Sequence, residues 1–145
     1  WVFMGGVGAT LALNVLMIIK SKHTSTKTLG KLALITSLFN INEPLIYGFP
    51  IVFNPFMFIP FTSIPLINLL ICIIFMKLIP IVPFPTGAEI STYMPFGVGA
   101  MLTNNSWLGL LLCIGILIVD MCLYYPFFIN YEKNNNHIMF NKNKK

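Results

Sequence analysis

Three stretches of this sequence carry no charged residue at all: positions 1–19, 44–76 and 90–119. A helix crossing a hydrocarbon core of about 30 Å needs roughly 20 apolar residues, and each stretch is close to that length or longer. Only 13 of the 145 residues are charged, 9% against roughly 25% in an ordinary soluble domain. A soluble globule of this size leaves about a third of its unfolded surface wet. A chain that is 57% hydrophobic, with mean hydropathy +0.82, lacks the polar shell to cover that surface. The chain is expected in a lipid bilayer, where backbone groups must be paired internally, and its fold class is all-α integral membrane.

The net charge of +5 comes from nine lysines and no arginine. Four lysines lie in 20–31 and four follow Tyr131. A nucleic-acid role is set aside, because the clusters abut apolar spans and no arginine is present to grip phosphates or base edges. Short lysine-rich segments stay on the cytoplasmic side, so both clusters are expected inside, with an even number of crossings between them. Cys72, Cys113 and Cys122 sit in apolar runs without a CxxC pair and read as buried small hydrophobes. No metal site or cofactor is assigned. The chain opens at Trp1 with no charged flank and runs straight into an apolar segment, the pattern of a piece of a longer protein.

Residues 2–19 are expected to form a transmembrane helix whose Gly5, Gly6, Gly8 and Ala9 admit a neighbouring backbone. Residues 21–30 are polar and basic and read as a cytoplasmic loop. Prolines then recur at 44, 50, 55, 60 and 65. Each one inside a helix costs about 3 kcal/mol, so an uninterrupted lipid-facing helix through 45–64 is not expected. The segment is nevertheless uncharged and rich in Phe and Ile. Broken backbone at membrane depth is tolerated where it is buried in protein or lines a wet cavity. A re-entrant hairpin with its tip at 40–44 satisfies both facts.

Residues 66–83 read as a crossing helix, with Lys77 near enough to its end to snorkel. Residues 84–105, interrupted by Pro85, Gly87, Pro95, Gly97 and Gly99, suggest a second re-entrant hairpin from the other face. Residues 107–129 are the cleanest span, with Trp107 at one interface and Tyr124-Tyr125 toward the other. Residues 132–145 form a polar basic tail, expected to be cytoplasmic and disordered in part.

Three acidic residues compete for a chemical role. Asp120, within 107–129, suits a bond to a neighbouring helix. Glu89 reads as wet or interfacial. Glu43 follows Asn40 and Asn42 and precedes Pro44, which forces Glu43 out of the α region. Two amides and a carboxylate at an unwound tip can meet sugar hydroxyls, a proton or a sodium ion, or can simply cap the tip's own backbone. An ion- or proton-coupled secondary transporter, using Glu43 or Asp120, is therefore one open reading, and an inactive truncated fragment is another.

The run Phe39-Asn40-Ile41-Asn42-Glu43-Pro44-Leu45-Ile46-Tyr47-Gly48-Phe49-Pro50 closely resembles the FNINEP signature of the membrane-embedded IIC component of the phosphoenolpyruvate-dependent sugar phosphotransferase system. The similar branch is the lactose/cellobiose/diacetylchitobiose one. Gly8-Ala9-Thr10-Leu11-Ala12-Leu13, Leu29-Gly30-Lys31-Leu32-Ala33 and Tyr124-Tyr125-Pro126-Phe127 agree in order. The resemblance covers nearly the whole chain and aligns it with the carboxy-terminal third of such permeases.

The resemblance implies a partial IIC carrier domain over 1–131, with transmembrane helices and two re-entrant hairpins, followed by the tail. It implies a permease that binds a disaccharide at the midplane and presents it to a phosphocysteine on a cytoplasmic IIB partner. The phosphoryl donor thus lies on another component. A homodimer of the full-length protein is implied as well. Glu43 matches the family glutamate that hydrogen-bonds the reacting sugar hydroxyl, where it can act as a general base, and Asn42 and Asn40 match its neighbours. Thr92-Tyr93-Met94-Pro95 stands where the family often shows Trp-Thr-x-Pro, which leaves Tyr93 to stack on the sugar. The family's histidine would precede Trp1, and His23 is not its counterpart.

Overall fold

A computed structural model describes residues 2–51, 53–79, 81–83, 85 and 93–142, with 135–142 as backbone only. Among the described residues the structure is all-helical. In order, α1 is Leu11–Lys20, α2 is Thr24–Leu38, α3 is Glu43–Gly48, α4 is Pro55–Ile73, α5 is Val98–Asn104 and α6 is Trp107–Lys142. A π-helical turn, Ile74–Leu78, continues α4.

The expected helix over 2–19 forms only from Leu11, and at ten residues it is about 15 Å long. Residues 2–10 are turns instead. Gly5, Gly6 and Gly8 have φ of 76°, 95° and 86°, and Ala9 has 52°. Left-handed residues cannot propagate a right-handed helix, so the glycines serve as turn formers. They do admit close neighbours: the Leu11 backbone at Gly5, and side chains at Gly6 and Gly8. A Cβ on Gly6 would lie 2.4 Å from Asn42 Cγ, and one on Gly8 2.3 Å from the Phe61 ring.

The basic loop is also shorter than its composition suggests. Only 21–23 separate α1 from α2, and the Ser/Thr/Lys-rich residues after it are helical. Packing explains this. The two helices lie antiparallel, with Gly30 set against Met17 and Ile18 and Asn14 Nδ2 donating to Ser37 Oγ at 2.9 Å. Glu132 of α6 accepts hydrogen bonds from Ser21 Oγ and from the Lys22 backbone N–H. Both lysine-bearing segments therefore meet at one end of the molecule. The tail that composition suggested as partly disordered continues α6 to Lys142.

The five regularly spaced prolines divide by context. Pro44 and Pro55 sit in the first turns of α3 and α4, and Pro50 lies in the connection between them. An amino-terminal proline gives up an N–H that has no helical partner in any case. Asn54 caps α4 by accepting from the Phe56 N–H at 3.0 Å. Pro60 and Pro65, by contrast, lie inside α4 and are buried. The crossing helix expected at 66–83 thus begins eleven residues earlier and ends at Leu78. Nearby Thr62 and Ser63 hydroxyls donate to the carbonyls of Phe58 and Ile59, whereas the carbonyls that Pro60 and Pro65 leave without a backbone donor are those of Phe56 and Phe61.

Pro55–Leu78 and Trp107–Asn134 are long and apolar enough to cross a membrane, each with mean hydropathy 2.3 over its best window. Large apolar side chains such as Leu66, Leu70, Leu111 and Ile118 are exposed along them. The main core gathers Leu13, Met17, Leu45, Ile64, Tyr124 and Phe128 where α1, α3, α4 and α6 meet. Tyr124 is thus fully buried, whereas its neighbour Tyr125 is 43% exposed beneath Lys20. Cys72 and Cys113 are buried as expected, but Cys122 is exposed. Of the second broken segment, Glu89 and Thr92 lie outside the described residues. The chain turns at 93–97 and then enters the short α5.

Asp120 finds the structural partner expected for it. Asn68 of α4 donates from Nδ2 to Asp120 Oδ2 at 3.1 Å, and both side chains are fully buried. Removing one partner strands the other without water, which costs about 1–3 kcal/mol, whereas replacing both by apolar groups is nearly neutral. Asp120→Leu is expected to lower stability by about that amount, and Asp120→Asn by much less. The pair Asn68→Leu with Asp120→Leu is expected to recover most of the loss. Thermal unfolding of the parent, these variants and Asn68→Leu in detergent checks the cycle.

Candidate functional site

The site forms where α2 stops. The N–H groups of Phe39 and Ile41 both turn back to Thr36 O at 3.0 Å, and Asn40 takes a left-handed φ of 60°, a conformation asparagine tolerates. Asn42 then starts α3, its carbonyl accepting from the N–H groups of Leu45 at 3.0 Å and Ile46 at 2.9 Å. Glu43 and Pro44 are the first two residues of α3, so Glu43 is helical and not forced out of the α region as the following proline predicts. The chain folds back, so that Gly48 packs against Leu29 of α2.

The three polar side chains of the tip face different ways. Asn42 is 4% exposed, and its Nδ2 donates to Val7 O at 2.6 Å and to Thr10 Oγ1 at 3.1 Å. Asn40 Oδ1 accepts from the Gly5 N–H at 3.0 Å. Both amides therefore grip the glycine turn that precedes α1. Glu43 lies on the exposed side, and among the described residues no hydrogen bond or ion pair engages its carboxylate. Such a group can accept hydrogen bonds from hydroxyls or take a proton from one.

The second broken segment comes to the same place. The Phe96 N–H donates to Leu38 O, the last residue of α2, at 2.8 Å. This docks the 93–97 turn beside the tip and puts Tyr93, 65% exposed, at the same end of α2 as Glu43. His23 lies at the other end of α2. There it lines a cavity of about 270 Å³ with Ser25, Thr26, Phe49 and Tyr131. An apolar cavity of about 410 Å³ lies between the end of α4 and α6, against Ile71, Leu112 and Ile116. Glu43 lines neither of these two cavities.

Two buried residues that support the tip were not singled out as site residues in the sequence. Thr10 Oγ1, besides accepting from Asn42, donates to Gly5 O at 2.8 Å. Tyr124 donates its hydroxyl to Gly8 O at 2.5 Å. No periodicity links Tyr124 to a residue 116 positions away. The available signal was that both lie in stretches carrying the family resemblance.

Comparison with known proteins identifies the family. The family model described as phosphotransferase system, EIIC, matches residues 2–65. The lichenan permease IIC component of Bacillus subtilis (strain 168) is 39% identical over 134 residues, 92% of this chain and 29% of that protein. The lactose-specific EIICB component of Staphylococcus aureus (strain N315) is 33% identical over 131 residues, 90% of this chain and 23% of that protein. The crystal structure of the transporter ChbC, the IIC component from the N,N'-diacetylchitobiose-specific phosphotransferase system, superposes with a TM-score of 0.88. The two are 32% identical, over 92% of this chain and 31% of ChbC. The chain therefore spans less than a third of the length of these relatives. By sequence and fold together, the chain belongs to the phosphotransferase system EIIC family, in its lactose/cellobiose/chitobiose branch.

Proposed function

We propose that this chain supplies the sugar-contacting part of a permease that binds a disaccharide and presents it to a cytoplasmic IIB partner for phosphorylation. One observation carries the reading. Glu43 is an exposed carboxylate on a tip whose neighbouring asparagine is buried and bonded, and whose next residue is a proline. A general base must sit within about 2.6–3.2 Å of the proton it takes, and a tip held on both sides suits that demand.

In this reading Glu43 accepts the hydrogen bond of the hydroxyl to be phosphorylated and draws off its proton as that oxygen attacks the phosphorus of the IIB phosphocysteine, whose sulfur leaves as the thiolate. Tyr93 offers its ring to the sugar face. Asn40 and Asn42 complete the binding tip, and their observed bonds favour the task of fixing it. α2 with α3, and the 93–97 turn with α5, form the two re-entrant hairpins, and residues 1–131 form part of the carrier domain. The lysine-rich loop and tail, joined through Glu132, face the cytoplasm. The rest of the full-length protein closes the site and pairs two copies.

Two measurements test the reading, both in a full-length permease carrying this chain, reconstituted in vesicles with its IIB partner. Glu43→Gln is expected to cut accumulation of phosphorylated cellobiose, lactose or diacetylchitobiose by about 10²-fold or more, the usual share of a general base, with membrane insertion unchanged. Full accumulation in that variant, or import of unphosphorylated sugar by the parent, refutes the assignment. Tyr93→Ala is expected to raise KM about tenfold, equivalent to ~1.4 kcal/mol, while Tyr93→Phe stays near the parent. Equal KM values for the two variants would remove Tyr93 from the sugar contacts.

A further inference from the structure

We infer that Thr10 is a positioning residue for the Glu43 carboxylate, with Tyr124 as its anchor on α6. The inference rests on the role given to Glu43 above and adds to it the device that fixes that carboxylate in space.

Thr10 is fully buried immediately before α1. Its hydroxyl is used in both directions, donating to Gly5 O at 2.8 Å and accepting from Asn42 Nδ2 at 3.1 Å. The second proton of the Asn42 amide goes to Val7 O at 2.6 Å. One hydroxyl thus joins the two ends of the glycine turn to the residue covalently bonded to Glu43. The turn is in turn fastened to α6, because Tyr124, also fully buried, donates to Gly8 O. The path from α6 to Glu43 is Tyr124, Gly8, the turn, Thr10 and Asn42.

The far side of Glu43 is equally restricted. Pro44 has a fixed φ, and the Asn42 carbonyl already holds the N–H groups of Leu45 and Ile46. Swinging the backbone at Asn42 would break side-chain and main-chain bonds together. What remains free is the Glu43 side chain itself. A misplacement of about 1 Å at a reacting group can cost on the order of 10²-fold in rate, so loosening this frame acts on turnover. Thr10 and Tyr124 are enclosed by this chain's own residues, so a segment from elsewhere in a longer protein has no open path to replace their bonds. Valine has threonine's shape without the hydroxyl, and serine keeps the hydroxyl without the methyl.

The experiment compares Thr10→Val, Thr10→Ser and Tyr124→Phe with the parent and with Glu43→Gln. All are full-length permeases in vesicles with IIB and phosphoryl donor, and turnover is normalised to folded permease. For Thr10→Val, kcat is expected to fall about tenfold or more while KM shifts by less than about threefold. Thr10→Ser is expected to restore most of kcat, and Tyr124→Phe to lower it in the same sense but less. A Thr10→Val permease that is scarce yet turns over normally per folded molecule overturns the inference, as does equal behaviour of Val and Ser. Should Thr10→Val not fold, Tyr124→Phe decides, and parental kcat there overturns it. If Glu43→Gln loses activity while Thr10→Val and Tyr124→Phe keep theirs, only the positioning fails. If Glu43→Gln turns over normally, the Glu43 reading fails and this inference with it.

Discussion

The arrangement depends on a buried amide. Asn42 lies in an apolar interior, where an unpaired polar group costs several kcal/mol. That cost is met by the carbonyls and hydroxyl of the unwound segment before α1. The segment has carbonyls to offer because it is not a helix, and it is not a helix because Gly5, Gly6 and Gly8 take left-handed φ. The same lack of Cβ lets Asn42 approach Gly6. Two irregular segments, each unsuited to hydrocarbon alone, thus satisfy one another, and irregular backbone is tolerated at membrane depth on that condition.

The break at 40–44 was legible, because two asparagines and a proline in an uncharged setting leave few alternatives. The two membrane-capable helices and the Trp107 start of α6 were legible in the same way, from charge spacing and apolar length. The prolines were misread where neighbours decide. Pro44 and Pro55 stand in the first turns of helices, where the lost N–H has no helical partner, and only at α4 does an asparagine, Asn54, add a side-chain cap. Pro60 and Pro65 lie inside α4, with Thr62 and Ser63 hydroxyls bonding to carbonyls nearby. Proline has one covalent effect everywhere, and its distance from the helix start decides what that effect costs.

The glycines were misread for a related reason. A run of small residues in an apolar stretch suits a helix interface and a left-handed turn equally well, and sequence does not show what must fit against them. Composition put Tyr124 toward an interface but gave no sign of its partner, a carbonyl 116 positions away. The Asn68–Asp120 contact, across 52 positions, left only half a trace: the buried acid predicted a partner but not its identity. For the candidate site, the sequence supplied Glu43 and its two asparagines. It did not show that the asparagines face inward and the glutamate outward, because the groups that hold Asn40 and Asn42 lie 35 positions away in the glycine turn.

Three long-range hydrogen-bonded links converge on α6. Asp120 holds α4, Tyr124 holds the glycine turn, and Glu132 holds the loop between α1 and α2. The residues are four and then eight apart, which winds them over about a third of the helix circumference. Apolar contacts alone give packed helices little preference for one register in lipid, since lipid tails match leucine in polarity. A hydrogen bond between buried groups has one register, and its loss is not made good by solvent. This describes the Asp120 and Tyr124 links, whereas the Glu132 link is only partly buried. Axial sliding of α6 against its neighbours would break three such links at once, including the one that leads through Thr10 and Asn42 to Glu43. The polar residues of this mostly apolar chain therefore set where the helices stop relative to one another, and that register determines where the exposed carboxylate stands.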